Sequence, residues 1–285
     1  MKQHFAALKI TVICLGLLTG NLAHAQINPV IPRDPAIEKK IDKIISKMTL
    51  VEKVGQMTQL DINLLGMDMR AEMMKLIMMP EEQLITLLKE HGLENEFDAT
   101  KMADPKKRME MGYEYYKLYQ KISASKGFQF DPAKMDSVFV KYKVGSILNT
   151  PFTTAQTSAE WNRIIKIVQD KSLEAIGIPC LYGIDQIHGC TYVADGTLFP
   201  QGVNMAATFN RELARRTGEI TAYETRAAGI PWTFSPVMDM GRQPAWPRQW
   251  EGYGEDCYLG GEIGREVVKG LQGPDPNNVG SKNIA

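Results

Sequence analysis

Two aspartates stand where apolar runs of this chain end. Asp185 follows Leu181–Ile184 in the stretch LYGIDQIHG, just ahead of His188, and Asp239 follows the run Trp232–Met238. After Asp239 comes a loop, Gly241 to Asp256, dense in tryptophan, arginine, tyrosine and acids. Carboxylates and guanidinium groups hydrogen-bond paired hydroxyls, while an aromatic face covers the C–H face of a sugar ring. Asp185, His188, Arg248 and Trp246, framed by Trp250 and Tyr253, therefore have the chemistry of a carbohydrate site. Taken singly, each has a plainer role: an aspartate after a strand caps turns, and a loop tryptophan covers a core.

Those residues need elements to hold them together. A helix from about Ala159 to Ile176, capped by Ser158 and burying Trp161, Ile164, Ile165, Val168 and Leu173, stops at Gly177-Ile-Pro179. The strand Cys180–Ile184 and then Asp185 follow. The same order recurs: Asn210 caps a helix carrying Leu213, Ile220 and Tyr223, which stops at Gly229-Ile-Pro231 before the strand Trp232–Met238 and Asp239. An earlier short strand is expected over Val144–Leu148. A third helix, about Cys257 to Gln272 before Gly273, leads toward a further strand at Asn283–Ala285. Strands alternating with helices argue for parallel β/α units, because a parallel crossover needs a dozen or more residues. In such folds ligands sit at the carboxyl ends of the strands, which is where Asp185 and His188 stand.

Upstream, Asp34 and Pro35 start a helix with Ile37, Ile41, Ile44, Ile45 and Met48 at helical spacing, and Thr49-Leu-Val-Glu52 has the form of a capping box. Residues 62–130 change to a Met-rich, charged texture, with helices over Pro80–His91 and from Pro105, capped by Asp104, to about Lys126. This stretch is expected to be a helical insertion. Methionines 67, 69, 73, 74, 78 and 79 leave two readings, thioether ligands for copper or adaptable filling of apolar contacts.

The bulk properties bound the partners. Lys+Arg 33 against Asp+Glu 33, with no basic block, argues against a phosphate backbone or an anionic membrane and favours a neutral ligand. Lys2, Lys9, the apolar run Ile10–Leu18 and Ala23-His24-Ala25 have the form of a secretory signal over residues 1–25, cut before Gln26. That run is too short to span a bilayer, so export without a membrane anchor is expected, to a periplasm or beyond. Cleavage removes Cys14 and leaves Cys180, Cys190 and Cys257, an odd number read as buried small hydrophobes with room for one bridge at most. No metal-ligand spacing occurs, so neither metal nor cofactor is expected.

The segments LYGIDQIHG, TLFPQGVNMAATFN, AAGIPWTFSPVMDMGRQPAWPRQWEGYGED and MTLVEKVGQM together resemble the N-terminal barrel domain of glycoside hydrolase family 3, the exo-acting β-glucosidases and related enzymes. The resemblance runs from about Asp34 to Ala285 and skips the Met-rich stretch. It implies an α/β fold, a (β/α)8 TIM-type barrel incomplete in this chain, with residues 26–285 as a partial barrel domain. It also implies a retaining double displacement on terminal β-glucosyl or related residues of oligosaccharides and aryl or alkyl glycosides. Asp185 would grip hydroxyls of the terminal sugar and Arg248 would be a second contact, with His188 and Trp246 beside them. The family pattern Gly-Arg-Asp-Pro-Arg-Trp-Gly-Arg reads Gly241-Arg-Gln-Pro-Ala-Trp-Pro-Arg248 here, and Gln243, Ala245 and Pro247 change the loop and the sugar preference. In the family the nucleophile and acid/base come later, so this chain is expected to hold sugar-binding residues, no catalytic ones, and no activity alone. Two other readings stand beside it, an exported carbohydrate-binding protein without catalysis and a Met-rich copper module. Composition sets no oligomeric state.

Overall fold

The sheet is built from four short strands that all run parallel and lie side by side in chain order: β1 (Gln59–Asp61), β2 (Ser146–Leu148), β3 (Leu181–Ile184) and β4 (Trp232–Thr233). The computed structural model describes residues 33–104, 107, 110–151, 155–275, 280 and 282–284; the expected signal segment and Cys14 lie outside them. Register pairs Ile147 with Tyr182 and Ile184 with Thr233. Consecutive order with helical crossovers is an α/β arrangement in which every strand end carrying a loop points the same way.

Residues 33–47 form a unit of their own, the helix α1 (Pro35–Ile45). Asp34 caps it by accepting from the Ala36 N–H at 2.8 Å, with Pro35 in the first turn, as the sequence indicates. The second unit begins at Met48. Its first helix, α2 (Leu50–Gln56), has the full capping box: the Glu52 N–H donates to Thr49 Oγ1, and the Thr49 N–H donates to the Glu52 carboxylate.

Between β1 and β2 lie α3 (Met69–Ile77), α4 (Glu81–Glu90), α5 (Ala99–Ala103), α6 (Gly112–Lys126) and α7 (Pro132–Met135). Of these, α3 to α6 bury a cluster of their own, with Leu84, Leu88, Met102, Tyr115 and Leu118 at its centre, and the Tyr115 hydroxyl donates to the Met102 carbonyl at 2.6 Å, while Met135 of α7 joins the main core. The helix expected from Pro105 begins, among the described residues, at Gly112; Pro105 itself lies outside them. α3, capped by Asp68, has no counterpart in the expected helices, because its apolar and charged residues alternate without a clear stripe.

The crossover from β2 to β3 is α8 (Ser158–Ile176). Its cap is Thr157, one residue before the expected Ser158, because Thr157 keeps an extended backbone and its hydroxyl accepts from the Glu160 N–H. Trp161, Ile164, Ile165 and Val168 are buried as expected, but Leu173 is exposed, being in the last turn and beyond the sheet. This face, with Ile147, Tyr182 and Ile184 of the sheet, makes the main core; the Trp161 and Tyr182 rings meet edge to face at 5.8 Å.

The third crossover holds α9 (Gly202–Ala207) and α10 (Arg211–Ala227), and α11 (Cys257–Gln272) packs on α10. Leu213 and Tyr223 are exposed; the buried face of α10 is Ala214, Gly218, Thr221, Ala222 and Thr225. Small residues win because the two helices touch backbone to backbone. A Cβ on Gly270 would lie 2.2 Å from the Arg215 carbonyl oxygen, and one on Gly218 2.4 Å from that of Val267. Gly270→Ala is expected to cost roughly 1–3 kcal/mol by forcing the helices apart; an unchanged thermal midpoint would show that they part freely.

Two further expectations change. The strand expected over Trp232–Met238 is two residues long, since Pro236 has no N–H to continue a ladder. Asn283 and Ile284 form no strand; Ile284 is buried, and its N–H donates to the Leu271 carbonyl at 3.0 Å.

Candidate active site

The carboxyl end of β3 is pinned by its neighbours. Asp185 leaves the strand directly after Ile184, and the next residue, Gln186, is buried. The Gln186 N–H donates to the Thr233 hydroxyl of β4, which in turn donates to the Ile184 carbonyl. The Gln186 side-chain oxygen accepts from the Thr191 hydroxyl at 3.1 Å and the Tyr192 N–H at 3.3 Å. The Tyr192 carbonyl accepts from the indole N–H of buried Trp161 at 2.8 Å. Gly189, at φ +104 with the Thr197 carbonyl where a Cβ would be, allows the sharp return between these segments. Asp185 is thus half-buried on a loop held from the strand, the neighbouring strand and the core.

The loop after β4 presents Arg248. Its Nε donates to both Glu251 oxygens, at 2.9 and 3.0 Å, and its Nη2 to Oε2 at 2.5 Å. Glu251 is largely covered, so the pair is fixed from the carboxylate side, while the guanidinium faces out. The hydrogen-bonded Glu251 holds Arg248 still more firmly protonated, with Asp185 and Asp239 adding to the effect. Burial raises the Asp185 pKa above the ordinary carboxylate range; Arg248 opposes the shift and Glu251 adds to it. Tyr192 is raised too, by burial and then by the charges of Asp185 and Glu251. These mutual effects put Asp185, Tyr192, Arg248, Glu251 and Asp239 in one electrostatic neighbourhood. Among the described residues no hydrogen bond or ion pair joins Asp185 to Arg248, and Arg248 Nη1 has no partner.

The other expected residues are placed differently. The His188 Nδ1 donates to the Phe199 carbonyl at 2.9 Å, and the His188 carbonyl accepts from the Phe199 N–H, so the residue ties two loop segments together. It lines a narrow cleft with Met205, Thr221 and Tyr253. Trp246 is half-buried, its N–H donating to the Gln243 carbonyl, and Trp250 is 51% exposed. Tyr253 belongs to the core between α9, α10 and α11, where burial raises its pKa. Cys180 and Cys190 are buried free thiols, the latter pushed up to about 11 by burial, but Cys257 is exposed at the start of α11.

Several polar residues here went unnoticed in the sequence. Glu251 had a signal, its spacing of three residues after Arg248 in a turn. Tyr192 had none. At the ends of β1 and β2, Asp61 accepts from the side-chain amides of Asn63 at 2.9 Å and Asn149 at 2.6 Å, and the Tyr182 hydroxyl donates to the Asn149 carbonyl. Polar loops therefore follow each of the first three strands on one side of the sheet. Among the described residues no group of three or more His, Cys, Asp or Glu is placed to hold a metal.

Known proteins resemble this chain in sequence and in fold. The model of the glycosyl hydrolase family 3 N-terminal domain matches residues 49–281. A lysosomal beta glucosidase of Dictyostelium discoideum is 34% identical over 242 residues, covering 82% of this chain and 22% of that protein. A periplasmic beta-glucosidase of Salmonella typhimurium is 35% identical over 136 residues, 47% of this chain and 16% of its own length. The crystal structure of an exo-1,3/1,4-beta-glucanase from a Pseudoalteromonas species superposes with a TM-score of 0.56 at 26% identity, covering 90% of this chain and 24% of that one. A beta-glucosidase from Listeria innocua gives 0.51 at 26% identity, with coverages of 87% and 26%. The chain spans about a fifth of the length of the curated relatives it matches.

Proposed function

Because the chain belongs to glycosyl hydrolase family 3, through its N-terminal domain, we propose that the complete protein hydrolyses terminal non-reducing β-D-glucosyl or related residues with retention of configuration. Asp185, Arg248 and Trp246 form its sugar grip, and the four consecutive parallel strands are the opening part of a (β/α)8 barrel. Residues 62–130 are an insertion between the first two strands. The observation that carries the reading is the half-buried Asp185 at the end of β3, in the electrostatic field of an arginine already clamped by Glu251.

Each part has a role in that chemistry. Asp185, ionised, accepts hydrogen bonds from sugar hydroxyls, and its partial burial makes each such bond stronger than it is in water. Glu251 occupies Nε and Nη2 of Arg248 and leaves Nη1 to donate to a sugar oxygen. With two of its nitrogens already bonded, Arg248 loses little freedom on binding. Trp246 offers an indole face to the ring, and His188 stiffens the Asp185 loop through Phe199. Retention requires two carboxyl groups about 5 Å apart across the scissile bond; in this reading the nucleophile and acid/base come from sequence other than these residues. Residues 1–25 act as an export signal, in keeping with relatives described as periplasmic and lysosomal. Among the described residues no helix is long and apolar enough to cross a membrane.

The test is release of glucose from an aryl β-glucoside by the complete protein, with the anomer first formed read by NMR. Appearance of the α-anomer first, or no release from any β-glycoside, rejects the reading. Glu251→Gln leaves Arg248 free to turn toward Asp185, and kcat/KM is expected to fall roughly ten- to a hundredfold, mostly through KM. Unchanged kinetics would remove the clamp from the site.

A further inference from the structure

The methionines of residues 67–79 are unusually bare for fillers. Met67 and Met69 are 41% and 45% exposed, and Met74 and Met78 are more exposed still. Met67, Met69 and Met79 line one wall of an open groove of about 1190 Å³, whose other wall is α6 with Tyr116 and Tyr119 and whose floor includes Phe130. That is room for a ligand of several rings. Polarizable, unbranched thioethers beside aromatic rings make a surface that adapts to varied apolar shapes. Four lysines line the groove: Lys75 pairs with Glu72 at 2.6 Å, Lys117 with Glu114 at 2.7 Å and Lys121 with Glu96, while Lys126 makes no ion pair among the described residues. With three of the four cations paired, apolar side chains make up most of the surface offered to an occupant.

Two lining residues, Asn63 and Gln156, are bonded to the loops that follow the strands. Asn63, at one end, donates to Asp61 at the carboxyl end of β1 and to the Thr150 carbonyl after β2. Gln156, also on the lining, accepts from the Ala194 N–H at 2.8 Å and donates its own N–H to the Tyr192 carbonyl at 3.1 Å. Tyr192 is the residue whose N–H is held by Gln186, the neighbour of Asp185. Groove and sugar grip are therefore built on the same bonded set of loops.

We infer that this groove receives the apolar, ring-containing aglycone of a β-glycoside whose sugar lies against Asp185. The inference rests on the glycosidase reading for the identity of the sugar end, but not for the binding of the apolar part. The experiment measures KM for methyl β-D-glucoside and 2-naphthyl β-D-glucoside with the complete protein, and binding of free 2-naphthol by its fluorescence. Both are compared with Met67→Ser/Met69→Ser, whose two sites are exposed enough that folding is not at stake. The expected result is a KM about tenfold higher in the variant for the naphthyl substrate alone, with 2-naphthol binding weakened by a similar factor. Equal KM in both proteins for both substrates, with no 2-naphthol binding, overturns the inference. Hydrolysis of neither glucoside, with 2-naphthol binding that the variant loses, keeps the groove and rejects the glycosidase reading. Saturable Cu(I) binding that the variant loses, with indifference to 2-naphthol, assigns the methionines to a metal and overturns it as well.

Discussion

On the glycosidase reading, Asp185→Asn in the complete protein is expected to lower kcat/KM for an aryl β-glucoside by about 10²–10³-fold while leaving the protein at least as stable at neutral pH. The kinetic loss follows from hydroxyl contacts that strengthen as the transition state develops, so that an amide in place of the carboxylate forfeits charge-assisted bonds where they matter most. The stability effect follows from the direction of the pKa shift. Burial raises the Asp185 pKa, so the folded chain holds the proton more tightly than the unfolded chain. Below the unfolded value both forms are protonated and the group stabilises fully; as pH rises through the raised value, ionising a half-buried carboxyl takes that stability away. The amide of the variant does not ionise, so its Tm at pH 7 stays level or rises, and its advantage over the wild type disappears at acid pH. A variant that loses stability and activity in parallel would make Asp185 a structural cap. A variant with unchanged kinetics would take it out of the site.

Trp161→Ala costs about 3–5 kcal/mol of stability, read by urea denaturation. The side chain is fully buried, packs edge to face on Tyr182 and donates its indole N–H to the Tyr192 carbonyl. Removing it therefore leaves both a large cavity and an acceptor without its donor. Trp161→Phe separates the two contributions: it restores much of the apolar volume but no N–H, and about 1–3 kcal/mol is expected to remain lost. Because the Tyr192 segment is joined to Asp185 through Gln186, the Phe variant also raises KM without a matching fall in kcat. If Trp161→Phe is as stable as wild type, the indole bond to the loop contributes nothing.

Local chemistry was legible wherever one side chain answers one backbone need. Asp34, Thr49 with Glu52, Asn210 and the glycines after Ile176 and Gln272 mark helix ends because each satisfies or relieves a terminal group within a few residues of itself. The buried stripe of α8 was legible for the same reason: Trp161, Ile164, Ile165 and Val168 share a face by spacing alone. The position of Asp185 at a strand end, and of Arg248 in the loop after the next strand, also came from order along the chain.

Whatever depends on a second element was closed to that reading. Leu213 and Tyr223 have the hydropathy of a core face, yet α10 buries Ala214 and Gly218 because α11 brings Gly270 against its backbone, and only the crossing reveals which face is close. Tyr253 and Trp250 look alike in sequence, but one sits under three helices and the other in solvent. His188 and Asp185 are three residues apart, yet the Phe199 carbonyl draws the imidazole toward a different cleft. Arg248 finds Glu251, while Tyr192, invisible as a functional residue in the sequence, is carried to Asp185 by bonds to Gln186 and Trp161. The sequence alone determined the parallel β/α order, the helix caps and the two strand-end positions, because these follow from local hydrogen bonding and from the spacing of apolar residues. The tertiary structure alone decided which charges face one another and which apolar side chains stay bare, because those depend on distances between segments far apart in the chain.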